Sequence, residues 1–152
     1  MNQYIVFKSN NEKVALNISH IERIIEYEDP SKIPESSKYL LGVIQYNKTV
    51  IPVIDLTYKL YQIKKDIYAN EKIIIINWND TLIGLLIDDI LGIEQYEDDQ
   101  YEENIIKTSI IKDYIKGFIK SEDKEDIIIV LNIEKIFNEK QSEEILTASK
   151  RN

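Results

Sequence analysis

A mainly β protein built from two similar halves is the fold class that this sequence predicts, and three observations predict it. The apolar residues are dominated by isoleucine, whose branched Cβ is stiff at χ1 and suits a pleated, half-buried surface better than a helix. Short β-branched runs are separated by polar turn pairs, of which Asn47-Lys48 and Asn79-Asp80 are the clearest. The chain also repeats itself. With Val14 set on Ile83, residues Leu16, Ile18, Ile21, Ile24 and Tyr27 fall on Leu85, Ile87, Ile90, Ile93 and Tyr96, each pair identical. A recurrence of that length marks one supersecondary unit built twice.

Taken in order, residues 4–7 form a first strand, 9–12 a turn-rich cluster and 13–16 the returning strand. Asn17 is placed to cap a short helix, because Ile18, Ile21, Ile24 and Ile25 recur at helical spacing. Glu28-Asp29-Pro30-Ser31 breaks that pattern. Residues 39–46 and 49–54 form a hairpin around Asn47-Lys48, with Pro52 predicting an edge or a bulge because proline cannot donate to a ladder. Asp55 is placed to cap the turn that follows. Residues 61–70 are polar and aperiodic, a linker. Residues 71–78 and 81–87 form the clearest hairpin, 97–104 an acidic loop, and 114–120 with 126–133 a last hairpin across 121–125. From Asn132 onward, Ile136, Phe137, Ile145 and Leu146 sit among charges and predict a C-terminal helix with a frayed tail over 138–152.

The second half of each unit recurs as well. Tyr39, Gly42 and Ile44 fall on Tyr114, Gly117 and Ile119, and Val53-Ile54-Asp55-Leu56 on Val130-Leu131-Asn132-Ile133. Units of about 60 residues bury too little apolar surface to be comfortable alone, so the two should pack on one another. A groove between them would be lined by Ile18, Ile21 and Ile24 and by the equivalent Ile87, Ile90 and Ile93.

Composition narrows the function. The 152 residues carry a net charge of −8, with no basic run, which disfavours nucleic acid as a partner. There is no cysteine, so thiolate catalysis, disulfides and cysteine-based zinc sites are excluded. The first residues lack a basic stretch followed by an apolar one, and the apolar run 73–76 is too short to cross a bilayer. That is the pattern of a soluble chain. His20 is the single histidine, lies off the apolar stripe and has no nucleophile–base arrangement around it, so a small β-barrel hydrolase fails on inventory. Asp88-Asp89, Glu97-Asp98-Asp99 and Glu102-Glu103 lack calcium-loop spacing and read as solvated surface. Gly42, Gly84, Gly92 and Gly117 are too scattered to cradle phosphate.

The segment Gly42-Val43-Ile44-Gln45-Tyr46-Asn47-Lys48-Thr49-Val50-Ile51-Pro52-Val53-Ile54-Asp55-Leu56 resembles the CheW family of chemotaxis coupling proteins. Gly84-Leu85-Leu86-Ile87-Asp88 and Ile115-Lys116-Gly117 with Val130-Leu131-Asn132-Ile133 resemble further elements of that family, over residues 4–137. The resemblance implies one domain over 1–137 made of two SH3-like five-stranded β-barrels around a shared core, near 13–60 and 71–133, with terminal strands able to exchange. It implies a bacterial, cytoplasmic adaptor without catalysis or cofactor. Such an adaptor scaffolds the cytoplasmic tip of a methyl-accepting chemotaxis receptor and the regulatory domain of a CheA-type histidine kinase, and is recruited to receptor arrays without touching the membrane. By the same analogy Ile5, Ile18, Ile21, Arg23, Ile24 and Ile90 would serve the receptor groove, and Gly42, Val43, Tyr46, Asn47 and Lys48 the kinase face. Two departures stand out: the family's turn arginine is Asn47 here, and a frequent glutamate is Arg23. An orphan adaptor for another regulatory complex is the alternative that they suggest.

Overall fold

A computed structural model describes residues 2–64, 71–103, 112–120 and 126–149. In chain order the elements are β1 (Asn2–Ser9), β2 (Glu12–Asn17), β3 (Ile21–Glu26), β4 (Leu40–Tyr46), β5 (Thr49–Asp55), α1 (Leu56–Tyr61), β6 (Lys72–Trp78), β7 (Thr81–Ile87), β8 (Asp89–Tyr96), β9 (Tyr101–Glu103), β10 (Ile115–Lys120), β11 (Ile127–Leu131) and α2 (Glu139–Ser149). They form a six-stranded sheet in the order β8-β1-β2-β11-β10-β9 and a five-stranded sheet in the order β3-β6-β7-β5-β4. The expected class stands: two SH3-like β units, short helices and a C-terminal helix.

Three hairpins turn on two residues that both have positive φ: Asn10 and Asn11 (52° and 64°), Asn47 and Lys48 (48° and 65°), Asn79 and Asp80 (48° and 59°). These are type I′ turns, whose twist matches that of the flanking strands and which asparagine tolerates best among residues with a Cβ. Asp55 caps α1, its Oδ1 accepting from the Tyr58 N–H at 3.0 Å. Pro52 sits opposite Val43 on β4, one residue before the parallel ladder to β7 begins at Val53, so its missing donor leaves no ladder bond unmade on that side.

The sheets do not follow the division into residues 13–60 and 71–133. The hairpin β1–β2 inserts between β8 and β11, and the hairpin β6–β7 inserts between β3 and β5. The exchange is reciprocal and matches the repeat residue by residue. Ile5 pairs with Ile93 and Ile24 pairs with Ile74, antiparallel; Ala15 pairs with Val130 and Val53 with Gly84, parallel. Each pair maps onto its counterpart under the offsets that align Val14 with Ile83 and Val53 with Val130.

The bulges repeat too. Register shifts fall between Ile21 and Arg23 on β3 and between the partners of Ile90 and Gly92 on β8, and again between Leu40 and Gly42 and between Ile115 and Gly117. These bulges correct one expectation. The isoleucines from Ile18 onward do not form a helix; a single 3-10 turn at Ile18–His20, capped by Asn17, leads into strand β3. The helical spacing arose because Glu22 is an extra residue in an otherwise alternating strand, which puts Ile21 and Ile24 on one face and Ile25 on the other. The acidic loop is likewise corrected: Asp98–Gln100 is a 3-10 turn and β9 pairs with β10. Helix α1 reaches Tyr61, the first residue of the expected linker, whereas 65–70, the turn 121–125 and the tail 150–152 lie outside the described residues.

A shared core joins the sheets, with Ile5, Phe7, Val14 and Leu16 from one and Ile74, Ile76, Trp78, Ile83, Leu85 and Ile87 from the other. Each such side chain contributes ~1.5–3 kcal/mol by leaving water. A polar clamp anchors the inserted hairpin. The Ser9 hydroxyl, fully buried, bonds Thr57 Oγ1 at 2.8 Å; Thr57 donates to Asp88 Oδ1 at 3.0 Å, and the Asn10 N–H donates to Asp88 Oδ2 at 2.9 Å.

Helix α2 begins with a reciprocal cap, Asn138 Oδ1 accepting from the Gln141 N–H and Gln141 Oε1 accepting from the Asn138 N–H. It lies against β4, β5 and β7, burying Ile145 and Ala148. Its Glu144 accepts from the Tyr39 hydroxyl at 2.6 Å and from the Ser37 N–H at 3.0 Å. Burial alone would raise the Glu144 carboxyl, but those two donors, with Lys140 nearby, outweigh it and hold the group below its usual value.

Two outcomes follow from these contacts. Asp88→Ala strands the Thr57 hydroxyl and the Asn10 amide, and should lower stability by about 1–3 kcal/mol, read as a fall in urea midpoint at unchanged slope. A carboxyl depressed in the folded state contributes stability that is present above the ordinary value of 4.5 and lost as pH falls through the depressed one. Amide protection at Ile145 and Ala148 should therefore drop on acidification below that value, and Glu144→Gln should flatten the dependence.

Candidate docking surfaces

Each sheet ends in two edge strands, and the exchange of hairpins decides which. β3 and β8 become equivalent edges, each paired on one side only, with β6 and β1 respectively. From these edges Ile21, Ile24 and Ile90 reach the rim of the shared core, half-buried. The structure therefore brings together three of the residues expected for the groove. Ile18 lies half-buried beside them in the 3-10 turn, and Arg23 is exposed on β3. Ile5 is 2% exposed, inside the core between β2 and β8, and offers no surface. Of the equivalents in the second copy, Ile87 is fully buried while Ile93 is 56% exposed.

Leu91 belongs with Ile93 and was not anticipated: it is 41% exposed on the same strand. The repeat contained the signal. Leu91 and Gly92 occupy the positions of Glu22 and Arg23 in the first copy, so an apolar pair stands where the other edge is charged. A β-edge usually carries charge to discourage pairing, and β3 does so with Glu22, Arg23 and Glu26. β8 has carboxylates at Asp89 and Glu94 but leaves Leu91 and Ile93 bare between them. Exposed large apolar side chains rimmed by charge mark an interaction surface.

The second surface is the β4–β5 hairpin. Gly42 is buried and structural. Its φ is +147°, and a Cβ there would run into the Ser31 carbonyl, 2.7 Å from its carbon. That close approach lets the Ser31 and Val43 backbones exchange hydrogen bonds of 2.8 and 2.9 Å, which covers part of edge strand β4. Val43 is half-buried beneath this bridge, and Tyr46 is 8% exposed in the barrel interior with Ile44, Ile51 and Val53. What remains for a partner is the tip: Asn47 and Lys48, exposed, with Gln45 and Thr49 beside them. His20, whose place off the apolar stripe predicts an exposed ring, is half-buried. Among the described residues no group of His, Asp and Glu is arranged to hold a metal ion, and no helix is long and apolar enough to cross a membrane.

This architecture has relatives. The model of the CheW-like domain matches residues 3–141. The chain belongs to the CheW family. It is 28% identical over 137 residues to the chemotaxis protein CheW of Thermotoga maritima, covering 90% of this chain and 88% of that one. It is 28% identical over 123 residues to the chemotaxis protein CheW of Bacillus subtilis, covering 79% and 78%. The crystal structure of the scaffolding protein TtCheW from Thermoanaerobacter tengcongensis superposes with a TM-score of 0.80 at 25% identity, over 90% of this chain and 92% of that chain. The family thus supplies a chemotaxis scaffold of the same two-unit build. Against it, the tip residue Asn47 has φ +48°, a conformation that asparagine adopts more readily than arginine.

Gly42→Ala should cost about 1–3 kcal/mol, from the strained φ and the displaced Ser31 segment. Thermal unfolding checks this, with Gly92→Ala as the comparison: its φ is +148°, but the nearest atom to an added Cβ is the Glu94 carboxylate at 3.9 Å.

Proposed function

We propose that this protein is a chemotaxis signal-transduction adaptor that couples methyl-accepting chemoreceptors to a CheA-type histidine kinase by scaffolding and catalyses nothing itself. The observation that carries the reading is the apolar edge of β8, with Leu91 and Ile93 exposed and Ile90 packed on the shared core, in a chain of the CheW family. The receptor tip, a helical hairpin with apolar knobs, would dock against this edge and the equivalent one formed by Ile18, Ile21, Arg23 and Ile24. Burial of such knobs in a groove is the ordinary mode of helix recognition. The regulatory domain of the kinase would meet the β4–β5 tip at Asn47 and Lys48, held in place by Gly42, Val43 and Tyr46. Weak contacts of this kind gain effect by being repeated in an array. The protein would then act in the cytoplasm, brought to membrane-bound receptors by protein contacts alone, and its net charge of −8 keeps it from nucleic acid and anionic lipid.

A second reading is favoured by one observation. The positions where the family carries arginine and glutamate are Asn47 and Arg23, both exposed, so a partner other than the usual receptor or kinase would meet a changed surface. An orphan adaptor of another two-component complex has that signature.

Co-sedimentation of the purified chain with receptor and kinase cytoplasmic fragments separates these. Ile93→Asp, already mostly exposed and so harmless to folding, should weaken receptor binding at least about tenfold while sparing the kinase. Lys48→Glu should do the reverse. Binding to neither fragment by the unaltered chain sinks the coupling role and leaves the orphan reading; unchanged receptor binding by Ile93→Asp removes the β8 edge from it.

A further inference from the structure

We propose that the open end of the six-stranded barrel binds a single organic cation, an ammonium or guanidinium group, against tyrosine rings. A cavity of about 230 Å³ there is lined by Tyr4, Tyr96 and Tyr101, by Glu97 and Asp98, and by Lys116 and Ile119. The mouth of a small barrel is a common place for a ligand, and this volume, below the ~300–1,000 Å³ of whole-ligand pockets, suits one head group.

The rings are fixed. Tyr4 is 6% exposed in the barrel interior with Val6, Ala15, Ile119, Ile128 and Val130, and Tyr96 and Tyr101 pack on that cluster. The Tyr4 and Tyr96 centroids lie 6.3 Å apart with planes tilted by 52°, so the two rings do not cover one another by stacking. The Tyr101 hydroxyl donates to the Lys116 carbonyl at 3.1 Å, which anchors the third ring. Burial, and then Glu94, pushes the Tyr96 phenol up; burial, and then Glu103 and Tyr4, does the same for Tyr101. Both rings stay neutral, and among the described residues that line the cavity two carboxylates, Glu97 and Asp98, stand against one lysine, Lys116. A cation over an aromatic face gains ~0.5–2 kcal/mol, more as it is desolvated. Lys116 does not supply it: among the described residues the ring–cation contacts are Lys59 with Tyr114 and Lys64 with Tyr58.

The fold does not demand this lining. In the other copy Ile73 stands at the position of Tyr4, the short strand that contains Tyr101 is replaced by the Ser31 bridge, and the interior is largely aliphatic, with Ile44, Ile51, Val53, Ile73 and Ile75 around one buried tyrosine, Tyr46. Only Tyr96 has a tyrosine counterpart, Tyr27.

The test is a titration of the full chain, following the Tyr96 and Tyr101 ring resonances by NMR. The probes are tetramethylammonium chloride and the peptide acetyl-Gly-Arg-Gly-amide, with tert-butanol as the neutral control. At least one cation should give saturable shifts that tert-butanol does not. The tighter of the two tells a free amine from a side chain on a basic partner. Tyr96→Phe should keep the affinity and Tyr96→Leu should lose at least about fivefold, the ring face being the difference. Glu97→Gln with Asp98→Asn, both exposed and outside the core, should also weaken binding. Shifts that fail to saturate, that tert-butanol reproduces, or that survive both Tyr96→Leu and the carboxamide pair overturn the proposal.

Discussion

The parallel seams between β2 and β11 and between β5 and β7 are the constraint on which the rest of this structure depends. Each seam joins a hairpin from one repeat to the closing strand of the other. In the five-stranded sheet the borrowed strands β6 and β7 lie between β3 and β5, so the first repeat cannot connect its own third strand to its own fifth. The second repeat is in the same position with β8 and β11. Neither half can close a sheet alone, and an isolated hairpin of this size is at best marginally stable. The two must therefore fold as one cooperative unit, and the Ser9–Thr57–Asp88 clamp ties the inserted β1–β2 turn to the other sheet's helix at the point where a slipped hairpin would first come loose.

The same exchange creates the surfaces available for binding. Insertion of the hairpins pushes β3 and β8 outward to the edges and leaves them over the shared core, where a bulge on each resets the alternation and turns Ile21, Ile24 and Ile90 toward the rim. Once two edges exist, side-chain charge decides their fate. Glu22, Arg23 and Glu26 blunt β3, whereas Leu91, Gly92 and Ile93 leave β8 apolar. A sequence with no use for that edge would gain solubility by charging it, as it has done on β3.

Much of this was legible in the residues. The turn pairs, the four antiparallel strand pairs of the hairpins, the C-terminal helix and the doubling all follow from β-branched runs, turn-rich breaks and self-similarity. Pattern alone failed at Ile18–Ile24. A bulged strand and a helix both place apolar residues three apart, and the choice between them is made by the pairing of Ile21 and Ile24 with Ile76 and Ile74, contacts distant in sequence. The exchange of hairpins, which the family resemblance allowed for the terminal strands, does not follow from the repeat itself, which tells which strands are equivalent but not whether each pairs within its own copy. Strand β9 was missed because Tyr101, Glu102 and Glu103 read as charged loop, and what makes them a strand is Gly117, which admits the Glu102 carbonyl where a side chain could not. Ile5 fitted a groove on hydrophobicity, yet its side chain lies on the face of β1 that packs into the shared core, and only 2% of it is exposed.

A scaffold must hold its partners at a fixed separation, and the strand order supplies a physical route for that. β3, on the proposed receptor side, and β4, whose tip is the proposed kinase contact, are the opposite edges of one five-stranded sheet, joined through β6, β7 and β5 by continuous ladders. Two of the three intervening strands come from the other repeat, so loosening the seam loosens the distance between the two faces. Rigidity here is a property of the exchange rather than of either unit. Helix α2, laid across β4, β5 and β7 and held by Tyr39 and Ser37 on Glu144, stiffens the same stretch from outside. The proposed scaffold would act through geometry, keeping what docks at its two edges in one relative position because those edges cannot move independently.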